Sequence, residues 1–276
     1  MKETAEFNLD KMNTLLLESR AHYELVAQDE VIKMNELIGQ NLRIQFLKEI
    51  NCTHCGKKTP KSYSGGYCYR CSIKLAECDM CILRPHTCHF EQGTCRGPEW
   101  GLANCMIPHY VYLANSSGLK VGITRSTQVP TRWIDQGASF ALPILKVGTR
   151  YQSGVFEKLL SSEISDRTDW RKMLRGEVLD IDLEEKRDEL FEMFGDEIDD
   201  LENQFGGQNV EILEKGEVVS IEYPVDSYPT KVNSISLDKQ EVVEGRLQGI
   251  KGQYLIFDVG VINIRSHTGH KVKLTY

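Results

Sequence analysis

No apolar run in this chain of 276 residues approaches the ~18–20 residues that a membrane-spanning helix requires. The opening residues, Met1-Lys2-Glu3-Thr4-Ala5-Glu6, lack the apolar stretch of a secretory signal. Both absences set membrane and exported classes aside and predict a cytoplasmic protein with no membrane partner. No repeat and no low-complexity tract interrupts the sequence, which argues against solenoid and disordered architectures. Residues 51–107 are poor in aliphatic side chains, so that stretch has little core of its own and needs another source of stability, such as a bound metal. The overall 41% hydrophobic and 26% charged residues are ordinary for a globular protein, so the shortage is local.

Cysteine is what that stretch has instead. In a reducing compartment nine cysteines indicate metal binding or redox chemistry, and an odd number fits a disulfide framework poorly. Cys52-x2-Cys55 and Cys68-x2-Cys71, twelve residues apart, form two identical knuckles. Each knuckle places two thiolates on one edge of a tetrahedron, and two knuckles complete the shell of a structural zinc with no open position. Cys78, Cys81, Cys88 and Cys95 form a second set of four, predicted to hold a second structural zinc, with His86 and His89 competing for its third or fourth position. An iron–sulfur cluster is the alternative chemistry for four of these thiolates. Cys105 is left over and reads as a small buried residue beside Met106.

The remaining pattern predicts an α+β chain in five parts: zinc-ribbon knuckles, a small α/β module and a C-terminal β-rich domain, together with an N-terminal segment and an acidic one. Residues 1–50 are an N-terminal helix and strand. The helix rests on Leu9, Met12, Leu15 and Leu16, and the strand on the alternation of Leu42, Ile44, Phe46 and Ile50. Residues 51–107 are the double zinc-binding region. Residues 108–178 are a compact module with strands over Tyr110–Ala114, Leu119–Ile123 and Ala141–Val147 and helices starting near Pro130, Val155 and Trp170. Residues 179–206 form an acidic helical segment, with Leu183, Leu190, Phe191, Phe194, Ile198 and Leu201 as its apolar stripe. Residues 207–276 are a small β-rich domain, read as a barrel or sandwich.

The net charge of −7 is unevenly spread. Residues 51–175 hold seventeen Lys and Arg against nine Asp and Glu, an excess of +8, which leaves −15 on the rest. Two four-cysteine zinc sites lower that middle to about +4. A modest positive excess suits a nucleic-acid surface, with Lys120, Arg125 and Arg132 as its candidate phosphate contacts.

Tyr110-Val111-Tyr112, a polar turn and Lys120-Val121-Gly122-Ile123-Thr124 resemble the core of GIY-YIG nucleases. In that family two adjacent strands carry the two tripeptides, the next helix an arginine, and a later helix a metal-binding glutamate. The resemblance implies that Tyr112 and Gly122 are the tyrosine and glycine of the two tripeptides, and that Arg132 and Glu157 are the arginine and glutamate. It implies catalytic roles for Tyr112, Arg132 and Glu157: a tyrosine near the attacking water, an arginine on the phosphate, and a carboxylate for Mg2+. The sequence departs from the pattern in four places, one of them being the asparagine that some members place on the last helix, for which Asp169 is at best a loose counterpart. Tyr110 replaces the first glycine, Lys120 replaces the second tyrosine, and Gln136 falls where a histidine is often found.

Most of the chain further resembles a family of unknown function that joins an N-terminal zinc-ribbon region to a GIY-YIG-like core. The carrying stretches include Cys52-Thr53-His54-Cys55-Gly56-Lys57-Lys58, Gly93-Thr94-Cys95-Arg96, Tyr112 to Arg125, Arg132 to Ala138 and Thr149 to Gly154. The leading expectation is a zinc protein that binds nucleic acid through a catalytically degenerate core. The alternatives are an active Mg2+-dependent endonuclease, with the ion at Glu157, and a zinc-stabilised adaptor with a protein partner.

Overall fold

The computed structural model describes residues 3–28, 30–164 and 169–276. The chain begins with β1 (Thr4–Asn8), β2 (Asn13–Leu17), β3 (Arg20–Ala27), β4 (Glu30–Lys33) and β5 (Asn41–Ile50). The cysteine-rich segment carries the short helices α1 (Tyr69–Ser72), α2 (Met80–Leu83) and α3 (Pro98–Asn104). Then come β6 (His109–Asn115), β7 (Leu119–Arg125), α4 (Thr131–Asp135), β8 (Phe140–Val147), α5 (Arg150–Leu160) and α6 (Trp170–Leu174). The acidic segment forms α7 (Leu183–Met193) and α8 (Gly195–Phe205). The last strands are β9 (Val210–Ile212), β10 (Val219–Ser220), β11 (Ser234–Ile235), β12 (Val242–Lys251), β13 (Tyr254–Phe257), β14 (Gly260–Asn263) and β15 (His270–Thr275). The architecture is mixed α+β.

The helix expected over residues 9–20 is absent. Its residues instead lead into a hairpin of β2 and β3, which pair antiparallel from Leu17↔Arg20 to Asn13↔Glu24. The turn at Glu18 and Ser19 has positive φ at both residues, the twist that closes a tight hairpin, but without the Asn-Gly signal that would announce it. Leu15 and Leu17 are exposed while Thr14 is buried, so side chains alternate across the strand and the helical spacing of the leucines is coincidental.

The two ends of the chain share one sheet, in the order β1-β15-β5-β12-β13-β14-β11. β15 pairs antiparallel with both β1 and β5, and β12 pairs with β5. The barrel or sandwich expected of residues 207–276 is therefore not self-contained: β5 lies between β15 and β12. Leu42 and Ile44 of β5 are buried in a core with Val272, Leu274, Val243 and Leu247, which is why the two ends hold together.

The second sheet runs β10-β8-β6-β7, with β9 also on β8. Its two faces go to different cores. Tyr112 and Ala114 join Trp133 and Ile134 in the core of the large sheet. Val111, Leu113, Val121 and Ile123 face Phe156 and Leu160 of α5 and Leu183, Leu190, Phe194 and Ile198 of the acidic helices. Helix α5 starts at Arg150, five residues before the expected point, because Thr149 and Gln152 form a reciprocal capping box. Gly154 seats this helix on the cysteine-rich segment: a Cβ there would lie 2.4 Å from the backbone nitrogen of His86.

Candidate functional site

The first knuckle hangs from the end of β5. Asn51 N–H donates to Gly269 C=O and Cys52 N–H to Lys57 C=O, which fixes the turn that brings Cys55 back toward Cys52. Thr53 N–H donates to Gly66 C=O, drawing the second knuckle alongside, and Cys68 stands at the N-terminus of α1, which carries Cys71. The sulfurs of Cys52, Cys55, Cys68 and Cys71 all lie within 4.8 Å of one another, and Cys55 and Cys68 are 3.9 Å apart. Tetrahedral zinc with bonds of about 2.3 Å requires sulfur–sulfur edges of about 3.8 Å. The donors and their spacing fit a zinc ion.

The thiols of this quartet share charge unequally. Burial opposes ionisation of Cys52, but backbone donors of Cys55, Cys68 and His54 outweigh it and lower its pKa to about 6. Desolvation and the neighbouring thiols push Cys71 up to about 12. One thiolate forms readily and makes the next more costly, a cost that a divalent cation removes.

The second cysteine set is arranged differently from its sequence grouping. Cys81, Cys88 and Cys95 line a small cavity of about 10 Å³ together with Cys105. Cys78 is not among the lining residues; Glu77, Ser64, Arg96 and Cys52 surround its thiol, and Arg96 also lines the cavity. Asp79, Cys81 and His89 offer three donor atoms within 4.8 Å of one another. Asp79 is already engaged: it accepts from Arg96 Nε at 2.7 Å, and His89 Nε2 is 3.6 Å away. Among the described residues, His86 belongs to neither metal-competent group.

The hairpin site is built by strand pairing. Tyr112 of β6 sits opposite Gly122 of β7, and Ala114 opposite Lys120. The Tyr112 ring crosses over Gly122, where a Cβ would lie 2.7 Å from the phenol oxygen, so glycine is a steric requirement there. Tyr112 is completely buried and Lys120 nearly so. Gln136, just past α4, gathers both: Tyr112 Oη donates to its Oε1 at 2.8 Å, and Lys120 Nζ donates to the same atom at 2.8 Å. Burial pushes the Tyr112 phenol up to about 12, Arg132 on α4 opposes that rise, and the Glu157 carboxylate on α5 adds to it. Tyr112, Arg132 and Glu157 thus share one electrostatic neighbourhood.

Arg150 lies between the hairpin site and the cysteine cavity. Burial lowers its pKa, with Cys105, Arg132, Glu157 and Cys81 as its charged neighbours. Its Nη2 donates to Ile82 C=O at 2.7 Å, and its backbone N–H donates to Cys105 C=O at 2.8 Å. Arg125 donates to Asn104 Oδ1, so its guanidinium is tied to α3. Sequence reasoning noted Gln136 only as a missing histidine and did not single out Arg150. The Thr149-x-x-Gln152 cap was the available signal that Arg150 opens a helix.

The chain belongs to the family described as "Protein of unknown function (DUF2797)". That family's sequence model matches residues 39–272, from the lead into β5 to the middle of β15. No curated protein and no solved structure matches. Among the described residues, no helix is long and apolar enough to cross a membrane.

Proposed function

We propose that this protein binds nucleic acid, with a structural zinc in the Cys52, Cys55, Cys68 and Cys71 knuckle and a phosphodiester held at a GIY-YIG-like hairpin site. The observation that carries the reading is the gathering of Tyr112, Lys120 and Gln136 at the β6–β7 hairpin, with Arg132 and Glu157 as charged neighbours of Tyr112. Arg132, on the half-buried rim, contributes the phosphate contact. Lys120 and Arg125, each already bonded to a neighbouring side chain, contribute positive potential.

The same atoms argue for weak catalysis. Gln136 accepts two hydrogen bonds where a proton-transfer group would be needed, and an amide does not exchange protons at neutral pH. Protonated Lys120 cannot accept a proton from water. One missing proton-transfer group costs typically ~10²–10⁴-fold. An Mg2+-dependent endonuclease is the second reading, favoured by the shared neighbourhood of Tyr112, Arg132 and Glu157. There Glu157 would hold the ion and the ion would neutralise charge on the phosphate.

The test is titration of single- and double-stranded DNA and RNA at several salt concentrations. Arg132→Ala is expected to weaken binding and to lower the slope of log K against log salt by about one. Unchanged affinity and slope would remove the hairpin from the proposed surface. Plasmid nicking with Mg2+ or Mn2+ separates the two readings: robust cleavage that vanishes in both Tyr112→Phe and Glu157→Gln would promote the endonuclease.

A further inference from the structure

We propose that a single metal ion, a second structural zinc, is held by Cys81, Cys88, Cys95 and Cys105. All four are free thiols, and they line one cavity of about 10 Å³, room for about one water-sized sphere. One ion fills such a space and nothing larger fits. The grouping takes Cys105 in place of Cys78, which no spacing rule suggests because Cys95 and Cys105 are separated by all of α3.

Asp79 and His89 also line the cavity, and their own partners set them apart from the thiols. Asp79 accepts from Arg96 Nε at 2.7 Å and from Cys81 N–H at the start of α2. The Nδ1 of His89 is 2.7 Å from Thr94 Oγ1, and its Nε2 is 3.6 Å from Asp79. Among the described residues, no side-chain hydrogen bond or ion pair engages any of the four thiols. The donors left for an ion are therefore four sulfurs, the soft set that zinc takes in a closed tetrahedral shell.

Helix α3 brings the distant cysteines to the same place. Because Gly101 has no side chain, the Cys95 sulfur and the Phe90 ring can lie against the helix: a Cβ at Gly101 would be 3.4 Å from that sulfur and 2.7 Å from the ring. Cys105 follows one turn later, where its N–H donates to Gly101 C=O at 2.7 Å. The first quartet has all its sulfurs within 4.8 Å of one another, and this one does not, so ligation draws its sulfurs inward toward edges of about 3.8 Å. Cys88 and Cys95 stand in turns outside the α-helices, where such a movement meets least resistance.

The ion also ties the cysteine-rich segment to the helix that carries Glu157. Arg150, the first residue of α5, donates from its N–H to Cys105 C=O at 2.8 Å and from Nη2 to the C=O of Ile82, next to Cys81, at 2.7 Å. Its guanidinium has Cys81 and Cys105 among its charged neighbours, and it offsets the net negative charge of four thiolates around a divalent ion.

The experiment is zinc content and zinc X-ray absorption of full-length protein purified without chelator, for the wild type, Cys78→Ser, His89→Gln, Cys88→Ser and Cys105→Ser. Two zinc ions per chain are expected in the wild type, in Cys78→Ser and in His89→Gln, one for each four-thiol set. Cys88→Ser and Cys105→Ser should keep one, which shows that the first knuckle remains folded. The wild-type spectrum should show sulfur neighbours alone, at about 2.3 Å. Four results would overturn the proposal. They are fewer than two zinc ions in the wild type, loss of an ion in Cys78→Ser or His89→Gln, two ions kept in Cys105→Ser, and a nitrogen or oxygen neighbour at about 2.0–2.2 Å, which would put His89 or Asp79 in the shell. If Cys105→Ser does not fold, the wild-type spectrum and the Cys78→Ser and His89→Gln pair decide the question.

Discussion

The first knuckle draws Cys52, Cys55, Cys68 and Cys71 from twenty consecutive residues, with Cys55 exposed to solvent. The hairpin site draws Tyr112, Lys120, Arg132 and Gln136 from two strands and a helix, and Glu157 from another helix, around a phenol that no solvent reaches. The two regions are held by different forces. Around the knuckle there is little apolar surface to bury, so a metal held by its four thiols would supply the closure. The hairpin packs one face against the large sheet and the other against α5, α7 and α8, so burial positions its polar groups whether or not a ligand is present. A locally closed site would depend on an ion, and a site closed by packing depends on its neighbours.

Metal removal should separate the two most sharply. Structural zinc in small cysteine sites contributes ~10–16 kcal/mol of apparent binding free energy, which there is folding free energy. Chelation or Cys52→Ser should therefore raise hydrogen exchange across residues 52–71 to unprotected rates while β6 and β7 keep their protection. Loss of protection in both places at once would show that the hairpin depends on the knuckle.

Acid should act on the hairpin through a buried histidine. His109, at the start of β6, is fully buried; its Nδ1 is 2.7 Å from Ile107 C=O and its Nε2 has no partner. Burial lowers its pKa from 6.5 to about 4, with Arg150 and Arg125 adding to the effect. Below about pH 6.5 the unfolded chain takes up this proton and the folded chain does not, so stability falls as pH drops and the loss is complete below about 4. The interval corresponds to roughly 3 kcal/mol. An NMR titration should show the His109 ring neutral at pH 5; a ring that titrates near 6.5 would end the argument.

A smaller effect is expected from Gly122→Ala. The added methyl meets the Tyr112 phenol, and overpacking of this kind costs typically about 1–3 kcal/mol. The urea midpoint should fall while zinc content stays at the wild-type level. Zinc loss in this variant would mean that strain passes from one region to the other.

The alternation of Leu42, Ile44 and Phe46, the β6–β7 hairpin and the acidic helices were legible because each is a local pattern whose period reports one buried face. The knuckle was legible for a related reason: a Cys-x2-Cys turn creates its own geometry from adjacent residues. The β2–β3 hairpin was misread because a Glu-Ser turn with positive φ carries no strong signal and the leucines fell by chance at helical spacing.

By itself, then, the sequence determined the elements whose partners lie within a few residues: the first four-cysteine cluster, most strands, and the capped helices. Only the tertiary structure decided which distant residues meet. It put β5 between β15 and β12, made Gln136 the common acceptor of Tyr112 and Lys120, and placed Cys105 rather than Cys78 beside Cys81, Cys88 and Cys95. The reason is physical: long-range closure depends on which apolar faces bury one another, and spacing along the chain does not record that.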